Sequence, residues 1–81
     1  MEKHYVVILD WAYDGDYGVE VMGVKHTLEE AQEVVKTVVN REKDSVIEDN
    51  LFIYADSENE FDAGEDGYYA TNHIRVYVSI V

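Results

Sequence analysis

The chain of 81 residues contains no cysteine and no proline, and it has only 6 Lys and Arg against 18 Asp and Glu. The absence of cysteine excludes a disulfide framework, a thiolate zinc site and a thiol nucleophile. No apolar run approaches the ~20 residues that a membrane-spanning helix needs. The first four residues also lack the basic region of a signal peptide. We therefore expect a cytoplasmic protein.

The shortage of basic residues gives a formal net charge of -12. Binding to DNA, RNA or an anionic membrane normally requires a basic surface, so this charge argues against direct contact with any of them. The length fits one domain spanning residues 1–81. Apolar residues make up 47% of the chain, which is enough for a hydrophobic core and argues against disorder.

The pattern of apolar residues predicts four strands and one helix. Residues 5–13 are rich in β-branched and aromatic side chains and predict a strand, followed by a hairpin loop at 14–18 and a second strand at 19–24. Thr27 and Glu30 form a capping-box pattern that begins a helix. Apolar residues at helical spacing continue that helix to about Lys43, with an extension through Val46 and Ile47 as the alternative. Residues 51–55 and 73–80 predict the remaining strands.

The predicted order β-β-α-β-β indicates an α+β fold with one helix packed on one face of a small, mainly antiparallel sheet. We expect the second face of the sheet to present aromatic side chains, including Trp11 and Tyr13. Exposed aromatic surfaces usually mark interfaces. A homodimer that associates through Trp11 and Tyr13 is therefore one hypothesis for the role of this domain.

Most of the negative charge lies in one stretch, because residues 48–67 contain eight acids and no Lys or Arg. We expect residues 56–67 to form an acidic loop. Within it the acids alternate, and in an extended chain alternate residues lie on one side, about 6.6 to 6.8 Å apart. A phosphate backbone is also charged at regular short steps. The predicted partner-binding residues are Asp14, Asp16, Asp56, Glu58, Glu60, Asp62, Glu65, Asp66, Tyr68 and Tyr69.

The acidic segment 56–66, the Asp14 and Asp16 loop and the small α+β layout together resemble a known class of proteins. These are small acidic proteins of phages and mobile elements, among them anti-CRISPR inhibitors, several of which imitate DNA. The resemblance implies a non-enzymatic inhibitor that blocks a basic, nucleic-acid-binding partner such as a nuclease. It concerns overall character, so it assigns no role to an individual residue.

Two other interpretations of the acidic segment stay open. The carboxylates of Asp56, Glu58, Glu60 and Asp62 are ligands of the kind that Ca²⁺ prefers, although the spacing does not match an EF-hand loop. The segment is otherwise a solvated loop. No serine or histidine has the sequence context of a catalytic motif, and the glycines match no phosphate-binding loop, so we expect neither an enzyme nor a cofactor.

Overall fold

The computed structural model describes residues 3–13, 15–65 and 72–81 of the chain. These residues form five strands and one helix. The elements in chain order are β1 (Tyr5–Tyr13), β2 (Asp16–Lys25), α1 (Leu28–Glu48), β3 (Phe52–Asp56), β4 (Glu60–Gly64) and β5 (His73–Ile80).

The strands form one antiparallel sheet in the order β2-β1-β5-β4-β3, and α1 packs on one face of it. This confirms the predicted α+β fold. β1 and β5, which have the clearest strand patterns, lie in the centre of the sheet. β2 and β3 are the two free edges. We call the sheet face away from α1 the open face.

The core lies between the sheet and α1. Alternate residues of β1 and β5 point towards the helix, so Val7, Leu9, Ile74 and Val76 are buried. Phe61 of β4 is fully buried beside Val76, its register partner. No polar or charged side chain among the described residues is buried. The acids of the described chain therefore lie at or near the surface.

The helix begins as the sequence predicts and ends later. Thr27 Oγ1 accepts a hydrogen bond from the backbone N–H of Glu30 and donates one to the Glu30 carboxylate, which is the expected capping box. The helix continues past Lys43 because Val46 is buried in the core. It stops at Glu48, and Asn50 then takes a left-handed conformation with φ of 54°. No helix in the described residues is long and apolar enough to cross a membrane.

The acidic segment is not the loop that we predicted. Residues 52–64 form a β3–β4 hairpin whose turn is Ser57–Asn59. Glu60 and Asp62 therefore belong to β4, a strand that the sequence pattern did not predict. The pattern missed β4 because polar acids alternate there with only two apolar residues, Phe61 and Ala63. Pairing with β5 and the burial of those two side chains make this short segment a strand.

The expectation that Trp11 and Tyr13 lie on the uncovered face is wrong. Both are on the face that α1 covers, where they line a small cleft of about 240 Å³ with Arg41 and Glu42 of the helix. Trp11 also lies over Gly18 of β2. Both faces of β1 carry apolar side chains, so the pattern could not tell which face the helix covers.

Candidate partner-binding site

Glu60 and Asp62 lie on the open face, together with the basic side chain of Arg75. Arg75 Nη2 is 2.6 Å from Glu60 Oε2, and its guanidinium carbon lies 4.3 Å from the ring centroid of Tyr77. The hydrogen bond with Glu60 is the largest cause that raises the pKa of Arg75 above its ordinary value. Glu60 is thus largely neutralised within the chain, which makes it a weaker contact charge than predicted.

A second polar pair on the open face joins residues that are far apart in sequence. The β1–β5 register brings His73 Nε2 within 3.3 Å of Asp10 Oδ1. The two side chains are 43% and 39% exposed and lie on the open face of the sheet. Such an open position gives no desolvated environment for acid–base chemistry. The arrangement therefore supports no catalytic assignment.

The alternating acids do not form one row. Asp56 is the register partner of the buried Phe61, so it lies on the helix face, whereas Glu60 and Asp62 lie on the open face. Glu58 is in the turn between the two strands. The expected regular spacing of four charges on one side is therefore absent.

The same geometry removes the ligand set of the calcium hypothesis. Asp56, Glu58, Glu60 and Asp62 diverge to the two faces of the hairpin. Within the described ranges, no group of three or more His, Asp or Glu side chains is placed to hold a metal ion. The four carboxylates therefore do not lie together as the ligand set that the calcium interpretation assumes.

The other predicted contact residues are spread over the molecule. Asp16 begins β2, at the opposite edge of the sheet from β3. Glu65 follows β4, and its backbone carbonyl accepts a hydrogen bond of 2.9 Å from the Tyr54 hydroxyl. Asp14, Asp66, Tyr68 and Tyr69 lie outside the described residues. Among the described residues, Asp16 therefore lies apart from the β3–β4 hairpin.

The structure instead forms a cleft between α1 and the β3–β4 turn, which we call the acidic cleft. It has a volume of about 640 Å³, and its apolar lining comes from Val35 and Val39. Four acids and two bases also line it: Glu29, Glu33, Asp56, Glu58, Lys36 and Lys43. A hydrogen bond of 2.7 Å from the Gln32 amide to Asn59 ties the helix to the turn.

The acidic cleft exists because α1 does not extend over the last strand. The helix packs on β1, β2, β4 and β5, and β3 lies beyond it. As a result Ile53, which lies on the helix face of β3, is 48% exposed. On the open face Phe52 is 54% exposed, and Tyr54, 59% exposed, has its ring 6.5 Å from that of Phe52. The free backbone edge of β3 therefore lies between an acid-lined cleft on one face and exposed aromatic rings on the other.

Among the residues that the structure describes, the four acids of the cleft have no ion-pair partner. Ion pairs in the part of the chain that the structure describes join Arg41 to Glu42, His73 to Asp10 and Arg75 to Glu60. Lys36 and Lys43 line the cleft but make none of these pairs. The acidic cleft thus carries an excess of negative charge that an incoming cationic group can neutralise.

Sequence reasoning predicted Asp56 and Glu58 but missed Glu29 and Glu33. The two glutamates are four residues apart and so share one side of the helix, which the sequence already indicates. Which strand lies next to that side depends on the sheet order, and the sequence does not specify that order.

Comparison with protein families, with curated proteins and with solved structures gives no significant match.

Proposed function

We propose that this protein is a non-enzymatic binding protein that uses its acidic surface to hold and block a basic protein partner. The partner class is a nucleic-acid-binding protein such as a nuclease, as in anti-CRISPR-like inhibition. The observation that carries the proposal is the convergence of Glu29, Glu33, Asp56 and Glu58 on one open cleft, where none of them forms an ion pair with another described residue.

Charge of one sign on a small domain favours such a role. A net charge of -12 exceeds the magnitude of about 2 to 8 that keeps a small domain soluble, and self-repulsion on that scale costs stability. An opposite charge on the partner relieves that repulsion and speeds association. Exposed aromatic residues next to the acids supply contact area of the kind found in binding hot spots.

Binding to a basic partner does not require carboxylates at the regular spacing of the phosphates in DNA. The acids of the hairpin lie on two faces of the sheet, so imitation of DNA rests on charge density and not on a regular row. Blocking by simple occupation of a basic surface needs only complementary charge and shape.

Capture from a bacterial lysate tests the proposal. The bait is the whole chain, and the basic proteins of the lysate are presented at 50 mM and 300 mM NaCl. The test bait is the Asp56→Lys/Glu58→Lys double variant. The matched control, Glu20→Lys/Asp44→Lys, makes the same charge change away from the cleft.

We expect the unmodified chain and the control to retain the same basic protein at 50 mM NaCl. The cleft variant should lose it, and so should every bait at 300 mM NaCl, because added salt screens the attraction. A partner that binds both double variants equally would contradict the proposed site. A retained partner that is acidic, or insensitive to salt, would contradict the proposed function.

A further inference from the structure

The β3 edge adjoins the acidic cleft, and the two features together define a particular way of binding. As the last strand of the sheet, β3 directs one row of backbone N–H and C=O groups away from β4. No other described strand pairs with that row. An extended peptide can add to such an edge as a further antiparallel or parallel strand.

We propose that the partner binds through an extended basic segment that adds as a sixth strand to the outer edge of β3. This inference rests on the proposed function and specifies its binding mode. Alternate side chains of an added strand point to opposite faces of the sheet. The side chains on one side of the added strand would enter the acidic cleft. Those on the other side would lie on the open face of the sheet, beside Phe52.

Charge and shape decide which side chains fit each position. Asp56 lies on the helix face at the end of β3, and Glu29 and Glu33 line the opposite wall of the cleft. Long cationic side chains can place their apolar stems against Val35 and Val39 and their charged ends among these acids. Side chains on the other face would contact an exposed aromatic ring. An alternating basic and apolar sequence is the pattern that satisfies both faces.

The cleft is not acidic throughout, and its polarity orients the segment. The acids lie beside the first half of α1 and the β3–β4 turn, where Gln32 is hydrogen-bonded to Asn59. Lys43 lines the part towards the end of the helix, while Lys36 lies one turn after Glu33. Cationic side chains are therefore favoured near the turn and disfavoured near Lys43.

The other free edge of the sheet, β2, serves as the control because the groove beside it carries no excess of acids. β2 exposes Tyr17, Val19 and Val21. The groove of about 470 Å³ between β2 and α1 is lined by two acids and two bases, namely Glu30, Glu33, Lys25 and Arg41. The acids that line the acidic cleft all come from α1 and the β3–β4 hairpin. An alternating basic strand is thus expected at β3 and not at β2.

Titration calorimetry of the whole chain with synthetic peptides tests this binding mode. The probe is an eight-residue peptide of alternating arginine and valine, blocked at both ends. A second peptide has the same composition as four arginines followed by four valines. Two further peptides carry N-methyl groups on all the arginines or on all the valines, because each set presents its N–H groups on one edge of the strand.

We expect the alternating peptide to bind about tenfold more tightly than the block peptide of equal charge. One N-methylated peptide should lose about tenfold in affinity, because its hydrogen bonds to β3 are blocked, and the other should bind like the parent. Phe52→Ala should weaken binding several-fold, whereas Tyr17→Ala on β2 should leave it unchanged. Asp56→Asn/Glu58→Gln should weaken it, and Glu20→Gln/Asp44→Asn should not.

The outcomes separate this inference from the proposed function. One outcome is an affinity that depends on the cleft charges but not on peptide order, N-methylation or Phe52→Ala. Such a result would show that binding is electrostatic only. The added-strand inference would then be overturned, while the proposed function would stand. If no peptide responds to the cleft charges, both fail. If the chain alone sediments as a dimer that Phe52→Ala dissociates, a second copy occupies the β3 edge, and the inference is wrong.

Discussion

At the scale of single residues, Tyr13 shows that burial of a side chain can cost it a hydrogen bond. Its hydroxyl oxygen is buried and has no hydrogen-bond partner among the described residues. Burial raises the pKa of Tyr13 above its ordinary value, and the nearby carboxylates of Asp49 and Glu42 raise it further. The hydroxyl group therefore gains no hydrogen bond from its position.

Replacement of Tyr13 by phenylalanine should therefore stabilise the protein. We expect Tyr13→Phe to raise the free energy of unfolding by about 1 kcal/mol at pH 7, because a buried hydroxyl without a partner is removed. The measurement is urea denaturation. A loss of more than about 1 kcal/mol would mean that the hydroxyl has a partner in solution.

The same substitution should alter the dependence of stability on pH. The raised pKa means that folded Tyr13 keeps its proton at a pH where the unfolded chain releases it. This contribution is present in full below about pH 10 and is lost as the pH rises through the folded pKa. Tyr13→Phe should reduce the loss of stability above pH 10, while Tyr17→Phe, at an exposed position, should retain it. Equal alkaline losses in both variants would refute this assignment.

At the scale of elements, the β1–β2 hairpin depends on a close approach between a glycine and an aromatic ring. A Cβ atom on Gly18 would lie 2.9 Å from the indole of Trp11, which is closer than side chains pack. By contrast, a Cβ on Gly23 would lie 3.4 Å from a methyl group of Val34. The first position excludes a side chain unless Trp11 moves, and the second leaves room for a small adjustment.

Gly18→Ala should lower the free energy of unfolding by about 1 to 3 kcal/mol, the usual cost of overpacking. It should also change the fluorescence of Trp11, the one tryptophan of the chain. Gly23→Ala is the matched control and should cost less and leave the fluorescence unchanged. The packing of Trp11 over β2 would be disproved if both variants gave the same fluorescence and stability.

The elements also show how far the sequence determines the fold. The positions of β1, α1 and β5 along the chain could be predicted, because each segment is rich in apolar residues that recur at strand or helix spacing. β4 could not, because Glu60 and Asp62 made its composition look like a loop. The sequence did not determine whether Trp11 and Tyr13 lie on the sheet face that α1 covers, since β1 is apolar on both sides. Asp56 and Glu58 of the candidate site were predicted, but their neighbours Glu29 and Glu33 required the sheet order.

The end of α1 gives a further example of this limit. The sequence places Lys36, Arg41 and Lys43 late in a helix that was expected to end near Lys43, as the helix dipole favours. In the structure the last turn contains no basic residue. Burial of Val46 outweighs the unfavourable charge, because a buried valine is worth about 1.5 to 3 kcal/mol and a dipole interaction about 0.3 to 1.

At the scale of the whole molecule, the net charge of -12 should make stability depend on ionic strength. Repulsion among the acids opposes the folded state, and salt shortens its range to about 10 Å at 0.1 M. We expect the melting temperature to rise by about 4–8 °C between 0.05 and 0.5 M NaCl, which corresponds to about 1 kcal/mol for a domain of this size.

Divalent salts supply the control for this measurement. MgCl₂ and CaCl₂ at equal concentration should produce equal shifts in melting temperature, because screening does not distinguish the two ions. A larger shift with CaCl₂ would show a specific calcium site and contradict the arrangement of carboxylates described above. A melting temperature that falls with NaCl would contradict the repulsion argument itself.

The central claim is that the acidic cleft and the β3 edge together form the binding surface. Hydrogen–deuterium exchange of the whole chain, with and without the alternating arginine–valine peptide, tests it most directly. We expect slower exchange at the backbone amides of β3 and at the cleft-lining part of α1, with exchange in β2 unchanged. Protection confined to β2, or no change at β3 at saturating peptide, would contradict it.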